Sequence, residues 1–246
     1  MTAPLFHLEP GRLDGCAPGS SVVLDGAEGR HAATVRRIGV GEDVLLADGS
    51  GRLVRGVVST TAKDELTLTV ASVEQVAPDQ PRLVLVQALA KGDRDDQAIE
   101  AATELGVDEV VPWQAARSIV QWKGERGAKA HRKWESVVRA AAKQSRRPVV
   151  PVVADLVARD ALATRAAAAA LVLVLHEDAR TPLSDVELPA EGDVLVVVGP
   201  EGGIAPDEVD ALTAAGGVPV RLGPTVLRSS SAGPAALAVL ASRLRW

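Results

Sequence analysis

Two patterns of apolar positions divide this chain. Through the first seventy-odd residues the apolar side chains come in short β-prone runs: "SVVLD", "DVLLAD", "RLVRGVVST" and "ELTLTVASV". Gly, Asp and Ser separate them, which predicts short strands joined by turns. Between the first two runs, "AEGRHAATVRRI" reads as one short helix. "EQVAPDQP", residues 74–81, is polar, holds two prolines and shows no periodicity, so it predicts a linker. Beyond it, strand and helix patterns alternate. "RLVLVQAL", "DEVVPW", "ALVLVLH", "DVLVVVG" and "VPVRLG" have the continuous apolar character of strands buried on both faces. "DRDDQAIEAATELG" carries acids in its first turn, apolar positions at Ala98, Ile99, Ala102 and Leu105, and a stop at Gly106. Helices are also expected over Ala128–Arg146, over "APDEVDALTAAG" and over Ser231–Arg245, and the alanines from Ala166 to Ala170 read as a helix end. Alternating strands and helices imply an α/β domain with a parallel sheet covered on both faces. The expected organisation is a β-rich domain over 1–73, a linker over 74–81 and an α/β domain over 82–246.

The expected helix from Ala128 to Arg146 changes the picture of charge. The chain as a whole carries −5, which argues against a polyanionic partner. Between Ala115 and Val150, however, ten Lys and Arg stand against two acids, Glu125 and Glu135. On a helical wheel Val137, Val138, Ala141 and Ser145 share the side of Trp134. Lys129, Arg132, Lys133, Arg139, Lys143 and Arg146 fall opposite. A solvated face is one explanation. Such faces usually mix signs, because like charges at i, i+4 repel, so a nearly single-signed face suits a polyanion better.

Two glycine bends follow strands of the α/β part. One is "GPEGG" after "VLVVV"; the other is "LGPTVLRSSSAG" after "VPVR". Parallel sheets bind ligands beyond the carboxyl ends of their strands, so the two bends are expected to line one pocket. Neither the Walker A pattern nor the dinucleotide fingerprint is present, and Glu201 inside the first bend would repel a phosphate. A ligand combining an adenosine with a cationic centre fits better, and S-adenosylmethionine has both; Glu201 can equally be an acid favouring the dipole of the helix that starts near Pro206. The four histidines are scattered and no Cys/His pair has ligand spacing, so no metal is expected. The single cysteine, Cys16, excludes an internal disulfide. The N-terminus lacks the pattern of a signal peptide and no apolar run is long enough to span a bilayer, which makes the cytoplasm the expected compartment.

At these residues the sequence resembles a known family, the bacterial 16S ribosomal RNA uracil-N3 methyltransferases of the knotted, S-adenosylmethionine-dependent SPOUT class. The resemblance runs through "RHAATVRRIGVGEDVLLADG", "ALAKGDRDDQAIEAATELGVDEVVPWQAARSIV", "HRKWESVVRAAAKQSRRPVVP", "VVVGPEGGIAPDEV" and "VRLGPTVLRSSSAGPAAL", and covers nearly the whole chain. It implies a small N-terminal PUA-like β-barrel that binds RNA, a C-terminal α/β domain with a deep trefoil knot, and a homodimer. It also implies a donor site around Gly199, Pro200, Glu201, Gly202, Leu222, Gly223, Leu227 and Arg228. RNA contacts are expected from His31, Arg36, Arg37, Lys91, Arg117, Lys143, Gln144, Arg146 and Arg147, although His31 also fits a structural histidine and Lys91 a solvated lysine. Arg228 is the expected stabiliser of charge developing on the uracil, and Glu201 the better of two poor candidates for a general base. Two departures stand out. Many relatives carry an acid in the last motif, as L-R-T-E-T-A, where this chain has Leu227-Arg228-Ser229-Ser230-Ser231-Ala232, so no role of that acid carries over to Ser230. Relatives also tend to V-L-R where this chain has Val35-Arg36-Arg37. Other readings are a noncatalytic RNA-binding ribosome-assembly factor, a methyltransferase acting on a different RNA nucleotide, and a nucleotide-binding metabolic enzyme of ordinary doubly wound fold.

Overall fold

The computed structural model describes residues 3–246, and the chain divides into two units. The first holds residues up to Pro78 together with Ala142–Val150; the second holds Asp79–Ala141 and Pro151–Trp246.

The first unit is a five-stranded sheet. Its strands are β1 (Leu5–His7), β2 (Ser21–Leu24), β3 (Asp43–Ala47), β4 (Arg52–Ala62) and β5 (Glu65–Gln75), in the order β1-β3-β4-β5-β2. Only β1 and β3 run parallel. Strict alternation puts Val54, Gly56 and Val58 of β4 and Leu66, Leu68 and Val70 of β5 on the inner face, as the two-residue period of a strand requires. Gly56 has no room for a side chain there, because a Cβ would lie 3.0 Å from that of Leu68. The core gathers Phe6, Leu13, Leu24, Leu46 and these strand residues. Four of the five strands correspond to the expected runs; β1, three residues long, carried too little pattern to be seen. The segment expected as one helix is α1 (Gly26–Arg30) passing into a π-helical turn over His31–Val35, and Arg37 ends it with a φ of 55°.

Three boundaries differ from expectation. β5 continues to Gln75, pairing Glu74 with Leu53 and Gln75 with Arg52, so the first residues of the expected linker belong to the sheet. Residues 142–150, expected in the C-terminal part, group with the first unit, where Val149 bridges to Gly49 and Ser50. The long helix runs over Gly124–Gln144 rather than Ala128–Arg146, since Arg146 adopts a φ of 58° that no helix continues.

The second unit is a seven-stranded, wholly parallel sheet. The chain runs β6 (Arg82–Ala88), α2 (Arg94–Glu104), β7 (Glu109–Trp113), α3 (Gly124–Gln144), β8 (Val152–Val153), α4 (Arg159–Ala168), β9 (Leu171–Leu175), β10 (Thr181–Pro182), β11 (Asp193–Val198), α5 (Pro206–Ala214), β12 (Val218–Arg221) and α6 (Ser229–Leu244). The spatial order is β10-β12-β9-β11-β6-β7-β8. β6, β7 and β8 build outward one way; β9 lands beyond a gap that β11 then fills. Val194 to Val198 are all buried because β11 has neighbours on both edges and layers on both faces. Each such side chain contributes roughly 1.5–3 kcal/mol of burial. One face packs Val84, Val86, Val172, Val174, Leu195 and Val197 with Trp113, Leu162 and Leu212. On the other face α6 approaches so closely that a Cβ at Gly233 would lie 2.8 Å from Leu85 Cδ1.

Candidate active site at the carboxyl edge of the parallel sheet

Because β9 pairs with both β11 and β12, the carboxyl ends of these three strands are neighbours. Parallel sheets bind ligands beyond the carboxyl ends of their strands. The two glycine bends lie there, on either side of a third turn, His176-Glu177-Asp178, which follows β9. Together they line one cavity of 840 Å³. Gly199, Pro200, Glu201 and Gly202 wall one side; Leu222, Gly223, Leu227 and Arg228 wall another.

The first bend owes its shape to glycine and to outside anchors. A Cβ at Gly199 would stand 2.7 Å from Ile204 Cγ1, and Gly203 has a φ of 73°. The amide of Gly203 donates to the carbonyl of Pro200 at 2.9 Å, closing a tight turn around Glu201. Arg94 Nη1 donates to Glu201 Oε1 at 2.6 Å and the Lys91 amide to the same oxygen at 3.1 Å. Arg117 Nη1 donates to the Gly202 carbonyl at 3.0 Å. At the far end Glu208 is buried: its Oε1 accepts from the Ala116 amide at 2.8 Å and its Oε2 from the Ala205 amide at 3.1 Å. This is one half of a capping box for α5, since Ala205 has no side-chain acceptor to return. Burial raises the Glu201 pKa, but the backbone amides and Arg94 outweigh it, and the carboxyl titrates below its ordinary range. A carboxylate so held is a weak proton acceptor.

The second bend is exposed from Gly223 to Arg228, with Val226 75% and Leu227 39% accessible. α6 then starts at Ser229, which is buried, and Ser229 Oγ has no hydrogen-bond partner among the described residues. Ser230 is half-buried. In the third turn, Asp178 donates its amide to His176 Nδ1 at 3.2 Å. Glu177 and Asp178 are exposed on the cavity. Sequence reasoning overlooked this turn; the signal was the polar cluster that ends "ALVLVLH", a third strand terminus of the same kind.

The expected RNA contacts fall into two sets. Lys91 and Arg117 belong to the second unit, beside the first bend, and Arg117 also lines the cavity. His31, Arg36, Arg37, Lys143, Gln144, Arg146 and Arg147 belong to the first unit. There Phe6 meets His31 edge to face at 6.0 Å, and Lys143 Nζ sits 5.8 Å from the Phe6 ring centroid. His7 Nε2 donates to the Arg147 carbonyl at 2.9 Å. Arg36, Arg37, Gln144 and Arg146 are exposed.

The single-signed face of α3 needs a correction. Lys133 binds Asp96 and lies 3.4 Å from Asp93, and Lys143 binds Glu28 at 2.6 Å. The hydrogen bond to Asp96 raises the Lys133 pKa. Acids from other elements therefore balance part of a face that lacks acids of its own. Beside Asp96, Asp95 is buried at the start of α2; desolvation and the Asp96 charge push its pKa up to about 6. Among the described residues no group of three His, Cys, Asp or Glu could hold a metal ion, and no helix is long and apolar enough to cross a membrane.

A parallel α/β sheet with a cavity at the carboxyl ends of β9, β11 and β12, joined in the chain to a β-rich unit, defines the class of protein. Comparisons with known proteins give the family. Residues 78–241 match the RNA methyltransferase domain and residues 24–71 the RNA methyltransferase PUA domain, and the chain belongs to this RNA methyltransferase family. It is 50% identical over 233 residues to the ribosomal RNA small subunit methyltransferase E of Mycobacterium bovis, covering 93% of this chain and 89% of that protein. To the protein of the same name from Bacillus subtilis it is 30% identical, covering 85% of each. Its fold is similar to the crystal structure of a ribosomal RNA small subunit methyltransferase E from Neisseria gonorrhoeae bound to S-adenosyl methionine, with a TM-score of 0.84, 28% identity and 98% of each chain covered.

Proposed function

We propose that this chain is an S-adenosylmethionine-dependent methyltransferase that methylates N3 of a uridine in small-subunit ribosomal RNA. The observation that carries the reading is the meeting of two glycine bends and the His176–Asp178 turn around one cavity at the carboxyl ends of β9, β11 and β12. The residues present suit the donor. The cavity falls within the range of small-molecule sites. Backbone N–H and C=O groups of Gly199, Gly202 and Gly223 can approach an adenine edge, and the carboxylates of Glu177 and Asp178 favour a cationic centre. Bound there, S-adenosylmethionine supplies an electrophilic methyl group on a sulfonium.

The chain's own residues must do the rest. Uracil N3 carries a hydrogen and is a poor nucleophile until it is lost. Arg228, at the rim, stabilises the charge that develops on the uracil carbonyls as that proton leaves. Glu201, already committed to Arg94, shapes the bend instead of taking the proton, which passes to water. Holding the base against the cavity supplies the alignment. N3 lies on the Watson–Crick edge, so the uridine must be unpaired or swung out. Exposed Arg36, Arg37 and Arg146, with the His31–Phe6–Lys143 cluster, are suited to RNA phosphates and a base, in a first unit that the reading treats as a small PUA-like barrel.

The reading includes a trefoil knot, a homodimer and a cytoplasmic site of action. Support for the knot is that α6 leaves β12, crosses past β9 and packs on α2, β6 and β11. Exposed Val226 offers apolar surface to a second copy. The deciding experiment is transfer of labelled methyl to small-subunit particles from a strain lacking this protein, with mapping of the modified base. Modification at N3 of one uridine is expected. A methyl on another atom changes the target, and tight donor binding without transfer to particles or free RNA makes the chain an assembly factor.

A further inference from the structure

The first bend contains three glycines in five residues, Gly199, Gly202 and Gly203. Glycine removes the steric limits that fix a loop, so such a turn has many alternative conformations. Something outside the bend must select one. Within the bend there is the Gly203–Pro200 hydrogen bond, and Glu208 secures the residues beyond. The apex is held from elsewhere. Glu201 reaches Arg94, the first residue of α2 and 107 residues away, and the Lys91 amide in the connection before it; both donate to its Oε1. Arg117, from the connection after β7, takes the next carbonyl, that of Gly202.

We infer that Arg94, which itself lines the cavity, is a positioning residue of the donor site: through Glu201 it holds the Pro200–Gly203 turn in the shape that walls the cavity. The inference rests on the donor-site reading above. It also explains why a loop suited to an adenosine carries an acid. The carboxylate is the handle by which the start of α2 and the connection before it grip a turn too glycine-rich to hold its own shape. The lowered pKa of Glu201 agrees, since the anchored form is the ionised one. An exposed ion pair adds little to global stability; its effect here falls on which conformation the turn populates. A ligand that binds only one conformation loses apparent affinity in proportion to that population.

The test is a double-mutant cycle on Arg94→Ala and Glu201→Ala, with Arg94→Lys as the conservative variant. Affinity for S-adenosylmethionine is read by calorimetry, and donor and RNA KM from methyl transfer. Arg94→Ala is expected to weaken donor binding about 3- to 10-fold, the effect of losing a conformational bias of about 1 kcal/mol. The donor KM should rise more than kcat falls, RNA KM should hold, and Arg94→Lys should recover part of the loss. The double variant should bind no more weakly than the worse single variant, because the two residues act as one unit. Donor affinity unchanged in Arg94→Ala, or losses that multiply in the double variant, would overturn the inference. If Arg94→Ala does not fold, Arg94→Lys against Glu201→Gln carries the comparison, and Glu201→Gln with full affinity overturns it equally. Wild-type protein that fails to bind S-adenosylmethionine would instead remove the donor-site reading.

Discussion

Arg245, one residue past the end of α6, reaches back 137 residues to Asp108, its Nη2 lying 2.6 Å from Asp108 Oδ2. The same guanidinium donates to the carbonyls of Gly106 and, at 3.1 Å, Pro81. Asp108 Oδ2 also accepts the amide of Leu83. The pair therefore ties the last helix to the starts of β6 and β7. Its side chains are 10% and 17% exposed, so the contact lies largely out of water. Arg245→Ala strips these acceptors of a donor and is expected to cost about 2 kcal/mol. Urea unfolding should show a lower midpoint with an unchanged slope, and little change in donor KM at temperatures where the protein is folded.

Glu208 serves two amides that belong to different loops, Ala116 and Ala205. Glu208→Gln leaves the geometry but offers only one acceptor oxygen, so one buried amide is orphaned at a cost of about 1–3 kcal/mol. Unlike Arg245→Ala, it should lower both the denaturation midpoint and the donor affinity, because Ala205 closes the first bend. Calorimetry and urea unfolding on the same preparation check this.

Arg228 lines the cavity and is the N-cap of α6, where its carbonyl accepts the amides of Ser231 and Ala232 while its side chain makes no capping hydrogen bond. Arg228→Ala is expected to reduce kcat on the order of 100-fold, as removal of a charge-stabilising donor does in other enzymes. Donor binding measured by calorimetry should survive. Turnover equal to wild type would end the catalytic assignment.

Asp95 gives a pH signature. Its carboxyl is pushed up to about 6 in the folded chain against an ordinary 3.8, so between those values the folded state binds more protons than the unfolded one. Stability then falls as pH rises through that window, and the penalty is complete above it. Asp95→Asn keeps an acceptor for the Asp96 amide and removes the charge. It should stabilise the protein by about 1–2 kcal/mol at pH 7–8 after allowance for residual solvent contact. The advantage should vanish near pH 4 in thermal melts across a pH series.

RNA affinity should depend steeply on salt. Replacing Arg36, Arg37 and Arg146 together should reduce the slope of log K against log salt by about 2, at roughly 0.7 per single-strand phosphate contact. Lys143→Ala should change it less, because Glu28 already balances that ammonium. Equal slopes for wild type and the triple variant would remove these arginines from the RNA surface.

Much of the second unit could be read from local pattern. The runs "RLVLVQA", "LVLVL" and "DVLVVV" are strands because each is buried on both faces, and "GPEGG" and "LGPTVLRSSSAG" bend where glycine follows a strand end. Pairing was not legible. Nothing local says that β11 enters between β9 and β6, so the His176–Asp178 turn could not be joined to the two bends in advance. Arg94 and Glu201 are 107 residues apart, and no spacing rule connects them. The helical wheel of α3 counted only acids on its own helix, which hid Asp93, Asp96 and Glu28. β1, β8 and β10 are two or three residues long and exist because a longer neighbour pairs with them.

The strand order has a consequence for synthesis on the ribosome. β6 emerges early, but its partner on one side, β11, is made 111 residues later, as the spacing of Arg82 and Asp193 shows. β12 and the first turn of α6, which complete the cavity walls, come later still. A nascent chain therefore carries a half-paired apolar strand while the next 111 residues are made, and gains a place for a methyl donor only once β12 and the start of α6 have left the exit tunnel. Long-range parallel pairing of this kind is slow.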